Sequence, residues 1–369
     1  MVATDEQGLR ARLRPKRVII CVGAGGVGKT TTSAALALGM AMEGRKVAVV
    51  TIDPAKRLAS ALGLSELSGE PRRIDAGGSV RMEGELWAMM LDAKRTFDEI
   101  IERLAPDEQA LGEILANPVY RELSTAVAGS HELSAIAKLY ELHEEHDFDV
   151  IVLDTPPSRN ALDFLEAPGR LLGFLEGRAL QVFLAPGGLT ARLFGRGTAL
   201  VFSIFARVTG VDMLGDLSTF FRTMSGVLDG FGERTRGVSE LLRDPQTAFL
   251  IVTSPEPEPT GEARFLAERL ASAGMGRGEL IFNRVHGDSL GGRSVVEVAG
   301  LLSGKLGDEL AGRVARNLAD FDVLAGRDRE SVARLSRELG QPSPVQVPML
   351  DEDVQDLLGL ARISEYLFA

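Results

Sequence analysis

The chain has 369 residues, 45% of them hydrophobic and 25% charged, with 41 Lys and Arg against 52 Asp and Glu for a net charge of −11. This is an ordinary globular composition, which excludes a disordered, collagen-like or disulfide-stapled chain. A surface this acidic is a poor coat for nucleic acid, so none is expected as a partner. The single cysteine, Cys21, rules out an intramolecular disulfide and a cysteine-rich metal cage.

Residues 1–16 read as a polar, mobile lead-in bearing Arg10, Arg12, Arg14 and Lys16. No apolar core follows these charges, so the segment is not a secretory signal. Arg17 to Val22 (RVIICV) is a short β-branched run that ends in glycines, the pattern of a buried strand. A helical pattern runs from Thr30 to about Glu43, with Gly44 where a C-cap belongs, and Lys46 to Thr51 (KVAVVT) is the next buried strand. Strand, glycine-rich turn, helix and strand make a right-handed βαβ unit. Further strands are expected at 86–91, 150–153, 249–253, 280–283 and 345–347, each separated from the next by helical patterns. Continuous apolar strands alternating with helices predict an α/β fold, a mostly parallel sheet covered by helices on both faces. Two stretches without strand signal, about 93–147 and 162–245, read as helical insertions forming a subdomain of one unit spanning 17–369. The longest apolar run, Ala199 to Ala206, falls far short of the ~20 residues a membrane span needs, and a cytoplasmic location is the expectation.

Three motifs carry chemistry. Gly23 to Thr31 (GAGGVGKTT) satisfies G-x-x-x-x-G-K-[ST] between a strand and a helix, the context that makes it a phosphate-binding P-loop. Backbone N–H groups of Gly25, Gly26, Val27, Gly28, Lys29, Thr30 and Thr31 then face the phosphates. Lys29 supplies a point charge to the β/γ oxygens, and the Thr30 hydroxyl ligates Mg²⁺. Thr51-Ile52-Asp53-Pro54-Ala55-Lys56 puts Asp53 at the carboxyl end of the neighbouring strand, where such sheets bind ligands. Asp53 either orients an attacking water or N-caps the helix begun by Pro54. Ile151-Val152-Leu153-Asp154-Thr155-Pro156-Pro157 is an apolar strand ending in Asp, the Walker-B pattern, which makes Asp154 the support of the Mg²⁺ shell. Together these predict an enzyme that binds and hydrolyses ATP.

In this order, GAGGVGKTT, TIDPAKRLASALG and DTPPSRNALDFLEAP resemble the ArsA family of ATPases. That family includes anion-pump ATPases and the Get-pathway ATPase that delivers tail-anchored proteins; ParA and MinD are more distant. The resemblance implies a dimer, of identical or paralogous subunits, with a membrane-protein or hydrophobic client engaged by the helical subdomain. It implies that Asp53 is the switch I aspartate positioning the lytic water and that Asp154 begins switch II. It also implies that Asn283 reads the adenine edge and that Pro348-Met349-Leu350 borders the base. A factor that grips hydrophobic segments and a MinD-like positioning ATPase are the two alternative roles. Against the second, the C-terminal segment DVQDLLGLARISEYLFA carries only Arg362 as a basic residue, whereas membrane-surface helices carry several.

The sequence departs from the family's pattern in places. The P-loop lysine that usually reaches the partner's nucleotide is Ala24, and switch II reads DTPPSRNA in place of DTAPTGHT. Arg159, with Lys56 as runner-up, is the expected substitute cation. The cysteines of the family's zinc and metalloid sites are absent, and Asn283-Arg284-Val285-His286 lacks the N-K-x-D of guanine-specific proteins, so ATP is expected over GTP. Cys21 and Trp87 read as core, and His131, His143, His146 and His286 show no metal-binding pattern.

Overall fold

The computed structural model describes residues 8–52, 57–117, 120, 130–156, 227, 230 and 232–369. The chain falls into two compact units: Met1–Met90, Asp147–Leu162 and Arg243–Ala369 make the first, and Leu91–His146 with Asp163–Leu242 the second.

The first unit is built on eight strands: β1 (Val18–Val22), β2 (Lys46–Thr51), β3 (Arg72–Arg73), β4 (Glu85–Met90), β5 (Val150–Asp154), β6 (Thr247–Thr253), β7 (Glu279–Val285) and β8 (Val345–Pro348). Their order across the sheet is β3-β4-β2-β5-β1-β6-β7-β8, and every pairing is parallel except β3 with β4. The carboxyl ends of the parallel strands therefore share one edge. The order reverses about β1, which opens a crevice at that edge.

Both faces are apolar because each strand alternates two buried sets. Ile19 and Cys21 of β1, Val47 and Val49 of β2, Val150 and Val152 of β5 and Ala248 and Leu250 of β6 share one core. That core also takes in α1 (Leu9–Leu13), α2 (Lys29–Met42), α3 (Arg57–Ala61) and the helix nearest the C-terminus. The alternate residues, among them Val18, Ile20, Val50, Leu153 and Ile251, are buried too.

The second unit contains α4 (Ala93–Leu104), α5 (Glu108–Ala116), α6 (Ser130–Glu145) and a helical stretch at 232–241. Asp92 and Asp107 cap α4 and α5 by accepting from the backbone of Arg95 and Ala110. Helices α4 and α6 are joined by a charge network: the buried Lys138 reaches Glu99 at 3.2 Å and Glu141 at 2.8 Å, and Arg103 reaches Glu145 at 2.7 Å. Removing one member of such a network strands the others.

The first unit is completed by α7 (Pro257–Ser272), α8 (Val295–Leu306), the long α9 (Asp308–Leu339) and α10 (Leu357–Leu367). Leu266 and Leu270 of α7 are buried, and Leu270 meets Ile251 of β6 beside Gly278, on the face away from α2. On the other face, α10 lies directly on α2. A Cβ on Gly39 would stand 2.0 Å from the Ser364 hydroxyl and 2.5 Å from the Phe368 ring, so only glycine admits this approach.

The structure corrects two expectations and adds one strand. Leu9–Leu13 is not a polar lead-in: Leu9 and Leu13, one helical turn apart, are buried in the core. The antiparallel edge strand β3 was not foreseen. Trp87 is only half-buried, its indole N–H donating to Glu85 and its ring meeting Phe148 edge-on. Most of the expected insertion at 162–245 lies outside the described residues. Among those described, no helix is long and apolar enough to cross a membrane.

Candidate functional site

The P-loop leaves β1 at Gly23 and enters α2 at Lys29. Gly28, the N-cap of α2, has φ 91 and offers no side-chain cap, so the first amides of the helix are left for an outside acceptor. A Cβ on Gly28 would stand 2.2 Å from the Asn283 amide nitrogen, so both the backbone conformation and the neighbour demand glycine. Lys29 is buried, and its ammonium donates to the Ala24 carbonyl at 2.7 Å, which folds the side chain back along the loop. A buried ammonium held beside open amides acts in a low dielectric, where its charge counts for more than at the surface.

Ala24 itself is 6% exposed and packs with Val27 and Val252. This position faces inward here and belongs to the packing between the loop and the end of β6. Gly25 and Gly26, by contrast, are exposed.

The second half of the site comes from β5. Parallel pairing sets Asp154 level with Cys21 of β1 and Thr51 of β2, so its carboxylate is wholly buried between them. One oxygen, Oδ2, accepts from the Thr30 hydroxyl at 2.7 Å and from the Thr51 hydroxyl at 2.9 Å. The next residue, Thr155, donates its hydroxyl to the Cys21 carbonyl at 2.7 Å, tying the start of the following loop to β1. Burial pushes the Cys21 thiol up to about 12, with the Asp154 charge adding to the effect, so Cys21 stays protonated and unreactive.

A cleft of about 730 Å³ opens over Thr30 and Thr155. Gly26, Gly28, Lys29, Thr30 and Thr31 line one end, and Asn283 with Pro348, Met349 and Leu350 lines another part. Asn283 donates its amide to the Val27 carbonyl at 2.9 Å, locking β7 against the P-loop. An anionic ligand on the loop would meet the Lys29 ammonium, the uncapped N-terminus of α2 and the Thr30 hydroxyl, which the buried Asp154 carboxylate backs. Hard oxygen donors of that kind suit Mg²⁺.

The structure thus brings together Lys29, Thr30, Thr31, Asp154, Asn283 and the loop 348–350. Asp53, Lys56 and Arg159 lie outside the described residues. Three participants were missed. Thr51 was quoted only as the start of a motif, although its place opposite Asp154 follows from aligning the two strands. Arg57, inside the quoted TIDPAKRLASALG, and Arg284, next to Asn283, line the cleft but were given no role.

Residues 16–292 match the family model described as anion-transporting ATPase. The chain is 26% identical over 351 residues to "ATPase GET3" of Malassezia globosa, an alignment covering 95% of this chain and 90% of that protein. It is 26% identical over 278 residues to "ATPase ASNA1 homolog" of Cryptosporidium parvum, covering 74% of this chain and 66% of that one. With "ATPase GET3" of Podospora anserina the identity is 29% over 187 residues, 51% of this chain and 53% of the relative.

Proposed function

This chain belongs to the anion-transporting ATPase (ArsA) family and is an ATPase, and on that premise we propose that it is a Mg²⁺-dependent molecular switch whose ATP turnover reshapes the helical unit. The observation that carries this reading is the 2.7 Å contact between Thr30 of the P-loop and Asp154 of β5 beside an uncapped helix N-terminus. Backbone amides and Lys29 bind the phosphates. Thr30 and Asp154 would hold Mg²⁺, which when bound neutralises charge on the β- and γ-oxygens. Asp53 follows β2, whose Thr51 already touches Asp154, and there it orients the attacking water. Ala24 supplies no cation, so Arg159, Lys56 or a partner subunit does so.

The coupling runs through Asp154. The chain continues from Asp154 through Thr155 and enters the second unit at Asp163. A segment that meets the γ-phosphate near Thr155 and continues along the chain into the second unit transmits release of that phosphate. The working form is a dimer of identical or paralogous subunits, and the helical unit engages a hydrophobic client or a membrane partner. Similarity over 95% of the chain to a protein named ATPase GET3 favours the targeting role. The positioning role loses support because α10 spends its apolar side in the core: Leu357, Leu360, Ile363 and Leu367 are all buried.

Hydrogen exchange tests the switch. With Mg²⁺ and a non-hydrolysable ATP analogue, amides of 93–145 and 232–241 are expected to change protection relative to the ADP state, beyond any change in α8 and α9. Identical exchange in the two states would refute coupling.

A further inference from the structure

Among the described residues, Arg284 is the one non-glycine with positive φ, at 60. L-residues avoid this region, and glycine would enter it freely. The cause is a bulge in β7. Phe282 pairs with Gln346 and Val285 with Pro348, so β7 spends one more residue than β8 between the two pairings.

In an unbroken strand Asn283 and Arg284 would point to opposite faces. The bulge instead lets both line the nucleotide cleft, Asn283 buried against the Val27 carbonyl and Arg284 exposed. Among the described residues the Arg284 side chain makes no hydrogen bond or ion pair. Just beyond it, the Met349 amide donates to the Val285 carbonyl at 3.0 Å, which fixes the apolar loop Pro348–Leu350 beside the bulge. A nucleotide whose phosphates lie on the P-loop reaches this wall with its base. Strained backbone kept in place to present a free planar cation calls for a ligand.

We propose that Arg284 is a nucleotide-binding residue whose guanidinium stacks on the face of the purine base. The proposal rests on the reading of the cleft as a nucleotide site. A planar cation on a π-face needs no particular base edge, so Arg284 contributes affinity for purine nucleotides and does not choose between ATP and GTP.

Calorimetric titration of the full-length protein with ATP, ADP, GTP and inorganic tripolyphosphate tests this, with Arg284→Ala and Arg284→Gly as variants. Both variants are expected to weaken ATP, ADP and GTP by a similar factor of about 5–30, the range of a desolvated cation–π contact, and to leave tripolyphosphate unchanged. Arg284→Gly is also expected to melt, without nucleotide, at or above the wild-type temperature because the backbone strain is gone. Unchanged ATP affinity in Arg284→Ala would overturn the proposal, as would an equal loss for tripolyphosphate, which would make Arg284 a phosphate contact. Failure of the wild type to bind any nucleotide would overturn the reading of the cleft itself, a result distinct from both.

Discussion

Lys29→Ala is expected to weaken ATP at least about a hundredfold, roughly 2.7 kcal/mol, near the upper end for a hydrogen bond to a charged group. The magnitude follows from where the ammonium sits. Lys29 is 7% exposed and already oriented by the Ala24 carbonyl, so little ordering cost remains when phosphate arrives. Its removal takes away the one P-loop side-chain cation that the phosphates meet. Fluorescence titration with a labelled ATP analogue measures the effect, and far-ultraviolet dichroism checks that α2 survives. Affinity within threefold of wild type would mean that phosphate binds elsewhere.

Asp53→Asn is expected to leave ATP affinity near wild type and to lower turnover by about two orders of magnitude or more, the scale for a positioned acid–base group. The amide keeps the size of the side chain and loses the charge that orients water. A substrate-positioning role would instead move affinity along with rate. Single-turnover phosphate release against the same binding titration separates the two.

Most of the sheet was legible because its strands are continuous apolar runs that end in turn residues, and because a P-loop must join a strand to a helix. Strand β3 was not, since Arg72 and Arg73 are exposed, carry no apolar pattern, and meet β4 through backbone pairing and the surface Arg73–Glu85 ion pair at 3.3 Å. Helix α1 hid because two leucines four apart in a basic background are too short a pattern to separate from chance. At the site, Thr30 and Asp154 could be paired from sequence because each belongs to a motif whose partner is known chemically. Asn283 and Val27 could not, being 256 residues apart and joined by tertiary packing. The Arg284 bulge is a property of register between two strands, which no single strand's sequence displays. Ala24 looked like a simple loss of charge, whereas its methyl group packs with Val27 and Val252. A lysine placed there would first have to leave that contact.

The proposed metal-dependent half of the ATPase site is the pair Asp154 and Thr30. It is tested most directly by the steady-state rate of phosphate release from ATP as Mg²⁺ is titrated, in wild type and Asp154→Asn. Wild type is expected to need Mg²⁺, and Asp154→Asn to lose at least about a hundredfold in rate at saturating ATP and Mg²⁺. A rate in Asp154→Asn equal to wild type at every Mg²⁺ concentration would contradict it.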